Sequence, residues 1–269
     1  MIMKKNIVNC FFIGIVALFS GCAADLTDVL APSPVSLEEL EKRMNAASDP
    51  QGNFASSKSY IMKQEIKELD WLNDDVIRMV EVKFEKPDKF ALITYDDNQP
   101  ASVFCTDGNS GWVAYYKDRK IVRLDEAGLR RMRALASLGT PGAGGYSSVF
   151  KDVQVYKCTK EEGRFFRIDC KGPELSEPIS FYVDADDYLL RRVKMNFQLP
   201  GGKSSRYENI ILDYELRDGV RIPMATRIIQ DGVKQESKVI YYKLNPEIPA
   251  GDFQPPVFWT PTTSRRNII

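Results

Sequence analysis

Three aspartates crowd one short stretch of the chain: Asp184, Asp186 and Asp187. Closely spaced carboxylates can bind hard cations, and a pair of them can serve general acid–base catalysis. The stretch lies between two segments with strand periodicity, where aspartates also favour a hairpin turn because their side chains bond to nearby backbone amides. We favour the turn and expect neither a metal site nor a catalytic residue here; a cation site is the alternative.

The chain contains no histidine in its 269 residues. This excludes Ser-His-Asp and Cys-His mechanisms, most catalytic zinc sites and the usual general base near neutral pH. Paired carboxylates or a Ser-Lys arrangement remain open to an enzyme. We nevertheless expect a protein that is not an enzyme and that needs no cofactor.

The N-terminus is typical of a secretory signal. Lys4 and Lys5 precede an apolar run over residues 7–19, which is shorter than the about 20 residues of a membrane-spanning helix. The whole chain has 37 basic and 37 acidic residues. Removal of residues 1–21 removes two lysines and no acidic residue, which leaves a formal charge of −2. This balance argues against nucleic-acid partners and against a polybasic surface for lipid headgroups.

Cys22 decides how that signal is processed. The stretch LFSGC, residues 18–22, resembles a bacterial lipobox, in which the cysteine is diacylated on sulfur and becomes the first residue of the mature protein. Phe19 departs from the usual Leu or Val. An ordinary signal peptidase could instead use the small residues 22–24. We favour a lipoprotein signal peptide over 1–21, lipidation of Cys22, and a flexible tether over 22–35.

Two cysteines in the later part of the chain, Cys158 and Cys170, could form a bridge in an oxidising envelope. The segment between them predicts a hairpin around Glu162-Gly163, and a two-residue loop there places Cys158 opposite Arg167. A bridge therefore needs a bulge or a longer loop. Free, buried thiols are the alternative.

One amphipathic helix is predicted over about residues 37–47, because Ser36 and Glu39 form a capping box and Asp49-Pro50 ends the run. Later segments alternate with period two and are separated by short turns, which favours an antiparallel β-sheet. The clearest alternating segments are 80–84, 90–95, 181–183, 193–197 and 210–214.

A second helix interrupts these strands. Asp125 can cap a helix with Leu129, Met132 and Leu135 on one side, and a glycine-rich loop follows over 138–145. We favour a helix packed on the sheet over a helix on a membrane surface. A helix on such a hinge is also suited to act as a lid.

A many-stranded sheet with few helices must stack or curl, and a curled sheet with helices at its mouth can enclose an apolar cavity. Such a cavity suits flexible acyl chains, whose binding needs burial rather than a hydrogen-bond pattern. A filled core would use the same residues. The candidate lining residues are Val80, Val82, Phe84, Leu92, Trp112, Phe181, Val183, Met195 and Phe197.

Three motifs together resemble the LolA/LolB family of bacterial lipoprotein-localisation factors and their outer-membrane lipoprotein-sorting relatives. They are FEKPDKF at 84–90, CTDGNSGW at 105–112, and LNPEIP at 244–249 with FQPP at 253–256. The resemblance covers residues 36–256 and leaves 257–269 as a C-terminal tail. It implies an incomplete antiparallel β-barrel with a helical lid over a cavity for lipoprotein acyl chains.

In the family's soluble carrier an arginine before the turn proline latches the lid, and Lys86 holds that place here. The resemblance implies a membrane-anchored envelope lipoprotein that binds acyl chains of lipids or lipoproteins and helps to transfer or sort them, with another envelope carrier or an inner-membrane complex as partner. Ala23 after the cysteine favours the outer membrane, facing the periplasm. The alternative is a non-catalytic sensor or structural lipoprotein that acts through a protein partner.

Overall fold

Antiparallel strands make up most of the structure. The computed structural model describes residues 28–68, 77–126, 128–129, 145–160, 163–172, 177–198 and 204–258. The strands are β1 (Val29–Pro32), β2 (Ser59–Glu68), β3 (Ile77–Glu85), β4 (Lys89–Asp96), β5 (Gln99–Asp107), β6 (Gly111–Tyr115), β7 (Lys120–Arg123), β8 (Asp152–Lys160), β9 (Gly163–Lys171), β10 (Ile179–Asp184), β11 (Leu190–Gln198), β12 (Ser204–Arg217), β13 (Val220–Gln230) and β14 (Val233–Leu244). The helices whose bounds are described are α1 (Leu37–Ser48), α2 (Asn53–Ser56) and α3 (Tyr146–Val149), with a 3₁₀ turn at Ala250–Phe253.

All of these strands belong to one 14-stranded sheet in the order β1-β8-β9-β10-β11-β12-β13-β14-β2-β3-β4-β5-β6-β7. Neighbours in the described sheet pair antiparallel, and β1 and β7 form its two edges. The sheet is therefore curved but not closed, since no pairing joins these edges in the described part of the chain. The predicted fold class, a mainly β protein with an incomplete antiparallel barrel, is confirmed.

Helix α1 begins and ends close to the predicted residues. Ser36 caps it, since its Oγ accepts a hydrogen bond from the backbone N–H of Glu39 at 3.2 Å. The reciprocal half of the predicted capping box is different, because the Glu39 carboxylate accepts from Arg43 Nε at 2.8 Å. An i, i+4 ion pair on the exposed helix surface has taken its place.

The β8–β9 hairpin is present, but its register differs from the prediction by two residues. Lys160 pairs with Gly163, so Cys158 lies opposite Phe165 rather than opposite Arg167. Cys170 pairs with Val153. Phe165, which pairs with Cys158, and Cys170 are five residues apart on β9. Side chains an odd number of residues apart on a strand point to opposite faces, so the two sulfurs lie on opposite faces of the sheet. Both are buried free thiols, which settles the alternatives against a bridge.

The structure also differs from the expected tether over residues 28–32. Residues 29–32 form the edge strand β1, paired with β8 from Val29–Thr159 to Pro32–Tyr156. Four residues are too few to show a period in the sequence, and proline is tolerated where it occupies an edge strand. The pairing supplies the backbone hydrogen bonds that a free tether would leave to water.

Helices α1 and α2 pack on one face of the sheet, which we call the inner face. Phe54 of α2 packs with one buried cluster that includes Tyr60 and Val80, and Leu40 of α1 packs with a second that includes Phe181. Residues paired across neighbouring strands lie on the same face, and so do residues two apart in one strand. An unbroken path of such steps joins the two clusters across the central strands, so both clusters lie on the same face. The linking residues are Phe181, Val193, Asn209, Ile228, Thr226, Ser237 and Ile66.

The opposite side is the outer face, and it has its own buried cluster. Cys105 and Trp112 pair across β5 and β6 and lie against Ile248 and Phe253 of the C-terminal segment. Phe253 is 2% exposed. The C-terminal segment therefore covers this part of the outer face as tightly as a helix covers the inner face.

Candidate ligand-binding face

A strip of the inner face between the two clusters is only partly buried. The central strip carries three methionines and several polar side chains, which lie in β11, β12 and β13 and, beyond β14, in β2. Its residues are Met62, Gln64, Val193, Met195, Tyr207, Asn209, Met224 and Thr226. These residues keep partial exposure, whereas the centres of the two clusters beneath the helices are buried.

The chemistry of the central strip suits an apolar ligand. Methionine side chains are flexible and polarisable, so they adapt to irregular hydrocarbon surfaces. Burial raises the pKa of Tyr207, which keeps its phenol neutral at physiological pH. Every residue of the strip is therefore uncharged near neutrality. A surface of this kind binds hydrocarbon by burial, at roughly 25 cal/mol per Å² of apolar area removed from water.

Most of the predicted lining residues lie on the inner face but inside its clusters. Four of them belong to the cluster around Phe54: Val80, Val82, Phe84 and Leu92. Phe181 and Val183 are fully buried beneath α1, and Met195 is the member that reaches the central strip. Phe197 lies in β11, and its side chain is outside the described residues.

Trp112 is on the wrong side of the sheet for the predicted role. It pairs with Cys105, which pairs with Ala91, and that row lies on the outer face beneath the C-terminal segment. A short strand places alternate residues on opposite faces, and the sequence of Gly111–Tyr115 is apolar on both. The sequence alone therefore does not indicate on which face Trp112 lies. The position of the C-terminal segment that covers it decides this.

Among the described residues, Lys86 fastens helix α2. Its Nζ donates to the backbone oxygens of Phe54 and Ala55 at 2.7 and 2.9 Å and lies 4.9 Å from the centre of the Phe54 ring. Burial lowers the pKa of Lys86. The ammonium thus completes the C-terminal end of α2. The helix predicted from Asp125 begins there, with Asp125 Oδ1 accepting from Gly128 N–H at 2.7 Å. The rest of the segment predicted as a lid lies outside the described residues, so a lid and its latch by Lys86 stay predictions.

The aspartate cluster forms a turn, as predicted. Asp184 Oδ1 accepts from the backbone N–H of Asp186 at 2.8 Å, and Asp187 Oδ1 accepts from that of Leu189 at 2.9 Å. Arg191 pairs with both Asp184 and Asp187. Arg164 pairs with Asp186, so turn amides and two arginines occupy these carboxylates, and no metal-holding group is found among the described residues.

An open groove lies at one end of the sheet, beside α2 and β14. Its volume is about 490 Å³, and Asn53, Asp218, Tyr242 and Lys243 are among its lining residues. Its walls mix charged, amide and aromatic groups, so it lacks the uniformly uncharged surface of the central strip. We therefore place the candidate site on the strip.

Sequence reasoning missed a buried ionic network on the outer face. The carboxylate of Asp28 accepts from Tyr182 Oη at 2.6 Å and Arg167 Nη1 at 2.8 Å, and pairs with Lys160 Nζ at 2.9 Å. Burial opposes the charge, but the bonds from Tyr182, Lys160 and Arg167 outweigh it and lower the pKa of Asp28. Only the long-range pairing of β8, β9 and β10 brings these residues together, so no local signal marked them.

Cys22 and residues 1–21 lie outside the described residues. None of the helices that the structure describes combines the length and apolar character needed to cross a membrane.

An open, curved antiparallel sheet with helices on its inner face defines the class of this protein. Solved structures share it: a LolA superfamily protein from Nitrosomonas europaea has a TM-score of 0.57 at 11% identity, over 82% of this chain and 98% of that one. A putative outer membrane lipoprotein-sorting protein domain from Vibrio parahaemolyticus has a TM-score of 0.53 at 11% identity, over 81% and 95%.

A DUF1329 family protein from Desulfovibrio piger is similar at a TM-score of 0.53 and 9% identity, over 81% of this chain and 95% of that one. No protein-family model and no curated protein matches the sequence. At these identities the shared property is the fold. The chain has a LolA-like fold, which confirms the fold that the resemblance implied.

Proposed function

We propose that this protein is an envelope lipoprotein that binds acyl chains of lipids or lipoproteins on its inner face and takes part in their transfer or sorting to the outer membrane. The observation that carries the proposal is the central strip, an uncharged, methionine-bearing surface left accessible between two closed clusters. The names of two solved structures with this fold, a LolA superfamily protein and a lipoprotein-sorting domain, support the same reading.

Transfer requires no covalent chemistry in this proposal. An acyl chain moves between two apolar sites, and the direction follows the difference in their affinities. The protein would receive its ligand from another envelope carrier or an inner-membrane complex. Lipidation of Cys22 would anchor the protein to the membrane. The few residues after Cys22 would connect this anchor to the edge strand β1 on the periplasmic side.

Native mass spectrometry of the full chain, released from membranes, tests the proposal. We expect copurifying lipid, saturable uptake of a fluorescent fatty acid after delipidation, and an N-terminal mass that matches lipidated Cys22. No copurifying lipid together with no uptake would overturn acyl-chain binding. An unmodified chain beginning at Asp25 would overturn the anchor and leave the binding proposal standing.

A sensor or structural lipoprotein is the second candidate, favoured by the depth of the clusters. Val80 and Val183 are 0% exposed, so much of the predicted cavity lining is closed core. This candidate predicts a protein partner in pull-downs from envelope extracts, with no uptake of the fluorescent fatty acid. The two measurements therefore separate the candidates.

A further inference from the structure

The central strip is not uniformly apolar. A row of hydrogen-bonding side chains crosses the strip from β12 to β2 by way of the buried Ser237 of β14, and we call this row the polar seam: Asn209, Thr226, Ser237 and Gln64. Thr226 and Ser237 pair directly across β13 and β14. Apolar side chains flank the seam on both sides, with Val193 toward the cluster under α1 and Met62 toward the cluster around Phe54.

Several polar side chains elsewhere in the sheet have close partners. On β4 and β5, Thr94 Oγ1 and Ser102 Oγ are 2.7 Å apart. On β12 itself, Ser205 is 0% exposed and its Oγ donates to Asp231 at 2.7 Å. These buried hydroxyls have the partners that buried polar groups usually have, whereas the buried Tyr242 hydroxyl of β14 has none.

The polar seam is bonded loosely by comparison. Ser237 Oγ donates to Gln64 Oε1 at 3.3 Å, and the Gln64 amide reaches the Met62 sulfur at 3.5 Å. Asn209 Oδ1 is buried and has no hydrogen-bond partner. Three other buried side-chain atoms in the described residues share that condition, and Asn209 is the one in the central strip.

An unpartnered buried acceptor disfavours folding, and an apolar residue of similar shape avoids that cost. Leucine would extend the apolar strip across this position. An asparagine carboxamide at the same place is instead suited to accept a hydrogen bond from something that enters the strip. The hydrocarbon of a plain fatty acid offers no such donor, whereas a hydroxyl or an amide N–H does.

We propose that the polar seam selects acyl ligands that carry a hydrogen-bond donor, a hydroxyl or an amide N–H, with Asn209 as the accepting residue. The inference rests on the proposed acyl-chain binding and names its ligand class. Because apolar surface lies on both sides of the seam, the donor is flanked by hydrocarbon. A hydroxylated acyl chain, or an acyl chain joined through an amide to a larger lipid, has this pattern.

Displacement of a fluorescent fatty acid from the delipidated full chain, held in amphipol, tests the selection. The competing probes are hexadecanoic acid, hexadecanoic acids hydroxylated at different carbons, and N-hexadecanoylglycine. We expect at least one donor-bearing probe to bind about tenfold more tightly than hexadecanoic acid, the gain from one hydrogen bond to an otherwise unpartnered buried group. The variant Asn209→Leu should lose this preference and bind hexadecanoic acid at least as well as the natural chain.

The variant Asn196→Leu is the matched control, because Asn196 lies on the neighbouring strand β11 and bonds to Glu177 at an exposed position. It should keep the preference. If no donor-bearing probe is preferred while hexadecanoic acid binds, the selection is wrong and acyl-chain binding stands. If no probe binds, acyl-chain binding itself fails. The preference of the natural chain decides the matter even where Asn209→Leu does not fold.

Discussion

The outer and inner faces of the sheet are both rich in apolar residues, yet they are covered by different segments and to different extents. On the outer face, the C-terminal segment places Ile248 and Phe253 over β4, β5 and β6, and Asp28 ties the N-terminal strand to β8–β10. On the inner face, α1 and α2 close two clusters and leave the central strip between them accessible.

The difference shows what separates a core from a binding surface in this fold. Both lie on strands that alternate between the two faces, so alternation alone does not distinguish them. A core is covered by another segment of the chain. On the outer face, the C-terminal segment with Phe253 and the N-terminal residue Asp28 provide that cover. The inner strip has polar side chains and methionines where a core would have interlocking aliphatic ones.

The largest expected effect comes from opening the outer face. Phe253→Ala should lower the free energy of unfolding by about 3–5 kcal/mol, since it removes a buried aromatic side chain and leaves a cavity. Chemical denaturation measures this loss. Fatty-acid affinity, measured well below the melting temperature, should stay unchanged, and Val257→Ala, at a residue 96% exposed, is the control that should alter neither. An equal loss of affinity in Phe253→Ala would mean that the faces are not independent.

The next effect concerns the N-terminal attachment of the outer face. Asp28→Asn should lower stability by about 2 kcal/mol at pH 7, because it weakens charge-assisted bonds from Arg167, Lys160 and Tyr182. The folded pKa of Asp28 is lowered from 3.8, so this stabilisation is complete above that value and is lost as the pH falls through the folded pKa.

Thermal melts of the natural chain and Asp28→Asn should therefore converge as the pH falls below 3.8. Asp186→Asn is the control, because its partner Arg164 is as close, at 2.7 Å, but the pair is exposed. It should have little effect at any pH. A constant difference between Asp28→Asn and the natural chain down to strongly acid pH would contradict the lowered pKa.

A charge on the central strip should separate binding from folding. Met195→Glu should weaken fatty-acid binding by about tenfold or more, because a carboxylate beside hydrocarbon must lose water or be protonated. Its effect on the melting temperature should be smaller, since Met195 is only partly buried. Leu212→Glu, on β12 at a side chain 46% exposed, is the matched control and should bind normally. Equal binding by both variants would remove the strip from the proposed site.

The smallest expected effect is on the thiols. Reductant should leave the melting temperature unchanged, because Cys158 and Cys170 lie on opposite faces and are free. Burial raises the pKa of Cys170 and Cys158, and raises that of Cys105 to about 12, so thiol reagents should react slowly until the chain unfolds. Rapid labelling of the folded protein would show that these faces open readily.

Local signals predicted much of the fold. Alternation located β3, β4, β10, β11 and β12, and Ser36 marked the start of α1. Which face a strand buries, however, depends on the segment that covers it, so Trp112 was assigned to the wrong side. The central strip could have been found from the alternation of β2 and β13, where Met62 and Met224 occupy inner positions. Asp28 depended on pairings across about 150 residues of chain, which no local pattern encodes.

The Asp28 network also has a mechanical meaning. Tension on the N-terminal residues would reach Asp28 before it reached β1, and Asp28 is held by side chains from β8, β9 and β10. The load is therefore shared by three neighbouring strands rather than borne by the hydrogen bonds of one short edge strand. When the domain is pulled from its N-terminal end, the force is therefore transmitted directly to several strands of the sheet.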